Sequence, residues 1–523
     1  MRIKRASSFH FFTLLPFHFY IMDGLKNLAK DTAIYGLSSI IGRFINYLLV
    51  PIQTAKFAAS GGEYGIVTNI YAYTALLLVL LTYGMETTFF RYVNKSEEKP
   101  NRVYATTLMT VGFTSLLFII VVLAFLNPIS SLMGYADHRS YVAVMFICVA
   151  LDAFQCIPFA YLRYKKRPIK FAALKLVNIS MNIFLNVLYL IVLPALQLNP
   201  FGIYDSRFTL NVGYVFYINL FCTAFVFVFL AKELQGFRYS FDKALLKRMI
   251  SYSWPILVLG IAGILNQTAD KILFPYIYRG ADAHTQLGIY GAASKVAMIM
   301  AMITQAFRYA YEPFVFGKAK DRDNRATYAQ AMKYFIIFTL LAFLVVIGYL
   351  NVLRHIIGHD YWSGLRVVPI VMAAEIMMGI YFNLSFWYKL IDKTIWGAYF
   401  SGVGCAVLIV INVVFVPRFG YIACAWAGFI GYATAMTLSY IVGQKKYPIA
   451  YPVREITTYV LLTAVIFYAM TWTNSLCTTP IALFLNTVLI LLFLAYIVKH
   501  DFPLSSLPVV GRYFEGKRKS ERK

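Results

Sequence analysis

Charged residues are scarce in this sequence, and the motifs of common enzymes are missing from it. Only 14% of the 523 residues are charged, whereas a soluble globular domain carries roughly 25%. The sequence has no G-x-x-x-x-G-K-[ST] pattern of a nucleotide-binding loop and no H-E-x-x-H pattern of a zinc protease. Its six cysteines have none of the spacings of a zinc site, so we interpret them as small apolar residues. These absences argue against an ordinary soluble domain, a resident metal and nucleotide-driven chemistry.

Acidic residues are the rarer sign of charge. The 23 Asp and Glu residues stand against 48 Lys and Arg residues, which gives a formal net charge of +25. In a soluble protein this excess would indicate nucleic-acid binding. Here 60% of the residues are hydrophobic, and the cationic residues lie in short segments between long apolar runs. Such a chain cannot bury its apolar surface in one aqueous core, so we predict a membrane protein without a nucleic-acid partner.

Fourteen apolar runs approach the length of about 20 residues that a helix needs to cross a bilayer. The predicted fold class is therefore an all-α polytopic membrane protein with about 14 transmembrane helices. We predict the spans at residues 31–52, 65–88, 105–126, 141–161, 171–193, 213–230, 252–278, 288–307, 334–353, 367–388, 394–415, 421–442, 455–471 and 480–498. Pro255 and Pro275 in the seventh span predict a kink or a tilt.

The cationic residues are distributed unevenly between the two sides of these spans. With the N-terminus in the cytoplasm, 37 of the 48 Lys and Arg residues fall on that side and seven in the opposite loops. The positive-inside rule therefore predicts that both termini are cytoplasmic. The outside loops are short, and the longest covers residues 194–212. We expect no enzyme, because a membrane polymerase, ligase or transferase needs a sizeable outer loop; no filter-like segment of a channel is evident either.

Two parts of the chain share motifs at a constant offset of 226 residues. The shared residues are Tyr64-Gly65 with Tyr290-Gly291, Tyr83 with Tyr309 and Glu86 with Glu312. Six spans separate the copies, so they keep one orientation and predict two parallel six-helix lobes around a central cavity. A second start at Met22 suggests that residues 1–21 are an upstream extension. The predicted domains are then an N-lobe at 22–240, a C-lobe at 241–445, a helix pair at 446–498 and a basic cytoplasmic tail at 499–523.

Polar side chains interrupt several spans, although a charge at the bilayer centre costs about 2.5 kcal/mol or more. They form stripes on spans one, five, seven and eight, which predicts a hydrated, partly cationic cavity for an anionic head group. The candidate substrate-binding residues are Arg43, Asn46, Lys175, Asn178, Asn182, Lys271, Lys295 and Gln305. Asp152, Asp270 and Glu375 are candidates for coupling transport to a gradient of H⁺ or Na⁺. The alternative is that these groups pair, for example Asp270 with Arg43 or Lys295, and only stabilise the bundle.

The sequence resembles the polysaccharide-unit flippases of the multidrug/oligosaccharidyl-lipid/polysaccharide exporter superfamily. The residues that carry the resemblance are 32–36, 46–51, 62–65, 83–87, 287–291 and 305–314. The resemblance implies a two-lobed carrier that flips an undecaprenyl-pyrophosphate-linked oligosaccharide from the cytoplasmic to the periplasmic leaflet of a bacterial inner membrane. It further implies that Arg43, Lys271 and Lys295 hold the anionic cargo.

The implied partners are the lipid-linked oligosaccharide, membrane lipids, and the polymerase and chain-length machinery of surface polysaccharide (capsule or O-antigen) synthesis. Two alternatives come from the same superfamily. A multidrug or cation exporter would favour a net negative cavity and twelve spans. A flippase for the lipid-linked peptidoglycan precursor would share the cationic cavity, so charge does not separate it from the first hypothesis.

Overall fold

A computed structural model describes residues 45, 47–95, 98–205, 207–235, 239–318, 325–391 and 393–501, and every regular element in these ranges is helical. The predicted extension at 1–21, most of the first span and most of the basic tail lie outside these ranges. So do two of the candidate site residues, Arg43 and Asn46. The predictions for these parts of the chain therefore stay predictions.

Nineteen α-helices follow one another along the described chain. They are α1 Leu49–Lys56, α2 Glu63–Thr82, α3 Met85–Lys95, α4 Pro100–Ala124, α5 Leu126–Leu132, α6 Arg139–Tyr164, α7 Pro168–Val187, α8 Leu193–Ala195, α9 Gly213–Phe229, α10 Lys243–Ile277, α11 Ala283–Lys318, α12 Arg325–Gly348, α13 Leu350–Leu353, α14 Val368–Leu384, α15 Phe386–Leu390, α16 Ile395–Phe419, α17 Tyr421–Lys446, α18 Val453–Leu476 and α19 Thr479–His500.

The helices confirm the predicted class of an all-α polytopic membrane protein. Twelve helical stretches of the described chain are long and apolar enough to cross a membrane. The apolar helix α9 adds a shorter stretch of 17 residues. Together they correspond to thirteen of the fourteen predicted spans, and the first span, 31–52, is the one that lies largely outside the described residues.

Helix α10 begins nine residues before the apolar run that predicted it. The Asp242 carboxylate accepts a hydrogen bond from the Leu245 backbone N–H at 2.9 Å and so caps the helix at its true start. Hydropathy marks only the lipid-embedded part of a helix, whereas backbone hydrogen bonding continues into polar sequence. Pro255 and Pro275 both lie inside α10, and the kink or tilt expected from them stays a prediction.

The chain forms two compact units. The smaller unit contains residues 330–352 and 451–501 of the described chain, which are most of α12 and α13 together with α18 and α19. Within it, the Lys333 ammonium pairs with the carboxylates of Glu455 and Asp501. The Asn486 amide donates to the Gly348 carbonyl oxygen at 3.0 Å. Polar contacts between apolar helices thus hold this unit together, as expected where lipid offers no hydrophobic driving force.

The larger unit holds the other helices, and its central feature is the crossing of α2 with α11. The repeated glycines form this crossing: a Cβ added to Gly65 would overlap the His284 carbonyl oxygen, and one added to Gly291 would overlap the Thr68 hydroxyl. A Cβ on Gly288 would lie 2.9 Å from the Gly65 nitrogen. Only glycine permits two helix backbones to approach this closely. The Tyr-Gly repeat motifs therefore mark a contact between the two predicted lobes.

Candidate functional site

A cavity of about 420 Å³ lies among α10, α11, α14, α16 and α17 of the larger unit. Its wall along α11 mostly follows one helix face, and the lining residues of this helix are Tyr290, Ser294, Met298, Ala301, Met302, Thr304, Gln305 and Arg308. At 1.5 Å per residue, this face extends about 27 Å along the helix. The cavity is thus elongated, with Tyr290 near one end and Arg308 near the other.

Asp270 and Lys271, two of the predicted site residues, form an ion pair in the cavity wall. The Lys271 ammonium lies 3.1 Å from both Asp270 carboxylate oxygens and donates to the Gln267 carbonyl oxygen at 2.9 Å. The Tyr290 hydroxyl donates to Oδ2 of the same carboxylate at 2.7 Å. Asp270 is therefore paired, as that alternative holds, but with Lys271 rather than Lys295, and Arg43 lies outside the described residues. Lys271, the next residue in the sequence, can pair with Asp270 because its long side chain bends back along α10 toward Gln267 and Asp270.

Two further predicted residues, Gln305 and Glu375, line the cavity, and Glu375 has a different environment from Asp270. One of its carboxylate oxygens is buried and accepts no hydrogen bond from any residue that the structure describes. The same holds for the side-chain oxygens of Asn266 and Thr304, which line the same cavity. Leaving a buried polar atom unpaired costs about 1–3 kcal/mol. Three such oxygens around one cavity could bind a proton donor or a hard cation, which prefers oxygen ligands.

The polar stripe predicted on the fifth span belongs to a second cluster, away from the residues that line this cavity. Lys175 lies on α7 with its ammonium 4.1 Å above the Phe159 ring, and Asp152 of α6 is its charged neighbour. The Thr223 hydroxyl donates to Asp152 at 3.3 Å. Asn182 of α7 contacts Asn186 and Asn219, and Asn178 lies half-buried on the same helix.

The remaining predicted residues have separate positions. Lys295 is half-buried on α11, with Lys271 as its charged neighbour, but it is not among the residues that line the cavity. Tyr83 ends α2 in the left-handed region at φ 33°, and Glu86 pairs with Arg163. The side chains of Tyr309 and Glu312 lie outside the described part of α11.

Sequence reasoning missed three residues of this region. Arg308 lines the cavity and stacks over the Phe382 ring at 4.9 Å, although the predicted topology assigns it to a cytoplasmic segment. Its spacing of three residues from Gln305 is the signal that could have found it. Tyr432 lines the cavity from α17. Asn69 is 1% exposed on α2 and bonds to α10, which no local pattern reveals.

The described helices form an apolar bundle with an internal charged cavity, and solved structures of membrane transporters have a similar fold. The lipid II flippase MurJ in an inward closed conformation shares 14% identity and a TM-score of 0.68, covering 89% of this chain and 98% of its own. A multidrug resistance MATE transporter of the MOP superfamily, inward-facing, shares 13% identity and a TM-score of 0.57, covering 83% and 98%. MATE transporters of this fold are also known in an outward-facing conformation.

The MATE multidrug transporter DinF-BH, solved in complex with a ligand, shares 16% identity and a TM-score of 0.57, covering 82% of this chain and 97% of its own. Identities this low establish the fold alone. The family is established by sequence: residues 28–310 match the model of the polysaccharide biosynthesis protein family, so this chain belongs to that family. No curated protein sequence matches it. The resemblance inferred from the motifs is thereby confirmed.

Proposed function

We propose that this protein flips undecaprenyl-pyrophosphate-linked oligosaccharides from the cytoplasmic to the periplasmic leaflet by alternating access, for surface polysaccharide synthesis. The observation that carries the proposal is a cavity wall with Lys271 and Arg308 in a member of the polysaccharide biosynthesis family. A cavity of about 420 Å³ has the size of a ligand pocket and suits a head group rather than a whole lipid. The polyprenyl tail would stay in the bilayer.

In this proposal, the cations of the wall bind the pyrophosphate and the uncharged polar groups contact the sugars. Lys271 and Arg308 lie toward opposite ends of the cavity, so one pyrophosphate is bound by one of them at a time, through charge-assisted hydrogen bonds to its phosphate oxygens. Gln305, Tyr290 and Tyr432 offer hydroxyl and amide groups for sugar. When the pyrophosphate attracts Lys271, the ammonium leaves Asp270, which keeps its hydrogen bond from the Tyr290 hydroxyl.

Glu375 is our preferred site for the coupling ion, H⁺ or Na⁺. Asp270 already has Lys271 and Tyr290 as partners, whereas Glu375 keeps a buried oxygen without a hydrogen bond among the described residues. The side-chain oxygens of Asn266 and Thr304, which line the same cavity, would complete the coordination of a cation. The polar cluster of Asp152 and Lys175 is a second candidate place for ion binding.

Export of organic cations is the second candidate function, because part of the cavity wall consists of flexible methionine and aromatic side chains. Met298, Met302, Met378 and Phe382 line it together with the Glu375 carboxylate. Such a surface adapts to varied apolar cations. A flippase for the lipid-linked peptidoglycan precursor would use the same cations as our first proposal, so only the identity of the lipid separates those two.

The decisive experiment deletes the gene and analyses the lipids of the cell. We expect completed lipid-linked repeat units to accumulate in the cytoplasmic leaflet and to disappear when the intact chain is restored. Lys271→Met should lower this restoration about tenfold or more, since a hydrogen bond to a charged group contributes about 1.5–3 kcal/mol. Lys445→Met, at an exposed lysine outside the cavity, is the control and should restore fully.

Normal surface glycan without lipid accumulation would refute the flippase. Accumulation of the peptidoglycan precursor would assign the protein to that lipid instead. Loss of resistance to cationic dyes, with unchanged lipids, would favour the exporter. Full restoration by Lys271→Met, at the protein level of the intact chain, would remove this lysine from the substrate site.

A further inference from the structure

The carbonyl oxygen of Lys271 has lost its partner within α10. In an α-helix this oxygen accepts a hydrogen bond from the N–H group four residues later. That residue is Pro275, which has no N–H group. An open carbonyl within a membrane-spanning helix is costly, so another part of the protein must supply a donor.

Asn69 supplies that donor from α2, in the other predicted lobe. Its side-chain amide donates to the Lys271 carbonyl oxygen at 2.7 Å, across 202 positions of the sequence. The Tyr135 hydroxyl in turn donates to the Asn69 side-chain oxygen at 2.7 Å. Asn69 and Tyr135 are 1% and 2% exposed, so water does not compete for these bonds.

A second side-chain contact joins the same two helices, α2 and α10. The hydroxyls of Tyr73 and Tyr276 lie 2.7 Å apart, and the Tyr276 hydroxyl lies 3.1 Å from the Leu132 carbonyl oxygen. The crossing of Gly65 with α11 brings the same helix α2 against the second predicted lobe. Hydrogen bonds thus join the two predicted lobes at the backbone of Lys271, the residue that pairs with Asp270.

We propose that Asn69 is a positioning residue. It donates a hydrogen bond to the Lys271 carbonyl oxygen, which Pro275 leaves without a partner in α10, and so couples the contact between the two lobes to the Lys271–Asp270 pair. The Lys271 backbone N–H donates to Asp270 at 2.9 Å and its ammonium binds the same carboxylate, so movement of this residue changes both. Separation of α2 from α10 breaks the Asn69 bond. A rearrangement at Asp270 and opening of the crossing are therefore one event. The inference concerns the lobe contact and holds whatever the cargo is.

The test is hydrogen–deuterium exchange of the full-length protein in lipid nanodiscs, without cargo. Asn69→Leu should raise amide exchange in residues 62–72 and 284–294 about fivefold, the effect on an opening equilibrium of losing one ordinary hydrogen bond. Asn412→Leu is the matched control. Asn412 is also fully buried, but its amide donates at 2.9 Å to Leu408 of its own helix. It should leave exchange in both segments unchanged.

Pro275→Ala gives the second measurement. An alanine restores the N–H group that satisfies the Lys271 carbonyl within α10, so this variant alone should also raise exchange at the crossing. When Pro275→Ala is already present, Asn69→Leu should raise amide exchange by less than half of the increase that it causes alone. The proposal would be overturned if Asn69→Leu leaves amide exchange at the crossing unchanged, or if Asn412→Leu raises that exchange equally. It would also be overturned if the effects of Asn69→Leu and Pro275→Ala on exchange are fully additive. If Asn69→Leu does not accumulate in membranes, the test is the comparison of Pro275→Ala with Asn412→Leu. Amide exchange at the crossing that is unchanged in Pro275→Ala would overturn the proposal.

Discussion

At the scale of single residues, the two carboxylates of the cavity differ in what they can still bind. Asp270 is held by a lysine and a tyrosine, whereas Glu375 has an unsatisfied buried oxygen within the described structure. We therefore expect Glu375→Gln to abolish the response of transport to an imposed H⁺ or Na⁺ gradient, since the amide neither ionises nor attracts a cation strongly. Transport into proteoliposomes with and without the gradient measures this.

Asp137→Asn is the control for that measurement, because Asp137 is exposed and lies far along the chain from any cavity residue. It should respond to the gradient like the unchanged protein. A Glu375→Gln protein that still accelerates when the gradient is applied would move the coupling role to another carboxylate, and Asp152 would be tested next.

The sequence was informative about which residues matter and much less about their partners. A charge inside an apolar run is expensive, and this rule alone selected Asp270, Lys271 and Glu375. The pairing of Asp270 with its own neighbour depends on a lysine rotamer, which has no sequence signal. Lys175 illustrates the other limit: a polar stripe shows that a helix has a polar face, but not which of two clusters that face joins.

At the scale of elements, the close crossing of α2 and α11 should be sensitive to one added methyl group. Gly65→Ala places a Cβ against the His284 carbonyl, and backbone atoms cannot rotate away as a side chain would. Overpacking of this kind costs about 1–3 kcal/mol. We expect a clear drop in the thermal unfolding temperature of the detergent-purified protein.

Gly402→Ala is the matched control on α16, where an added Cβ meets no atom within 4 Å. Alanine is also the better helix former, so this variant should be unchanged or slightly more stable. If Gly65→Ala unfolds at the same temperature as Gly402→Ala, the helices of the crossing are further apart than the structure places them.

The ends of the helices were the least predictable feature at this scale. The apolar run gave the position of α10 but not its first residue, because Asp242 starts the helix in polar sequence by capping it. The repeat motif was predictive in another way. It identified Gly65 and Gly291 by their constant offset, and their role as contact points followed only when the two helices were brought together.

At the scale of the whole molecule, solvent chemistry decides the fold class and charge decides the orientation. A chain with 60% hydrophobic residues must use lipid as part of its surroundings, and helices satisfy their backbone groups there without help. The class was therefore predictable from composition and run length. The lobe boundaries rest on a repeat and stay a prediction, because tertiary contacts rather than hydropathy define a lobe.

The orientation in the membrane follows from the same charges and can be tested directly. Because 37 of the 48 cationic residues lie on one side of the spans, we expect both termini in the cytoplasm. A fluorescent protein fused after Lys523 should fluoresce, and alkaline phosphatase fused after Leu198 should be active because it reaches the periplasm. The same phosphatase fused after Lys445 should be inactive. The opposite pattern would reverse the topology, and with it the direction in which Arg308 and Lys271 meet the cargo.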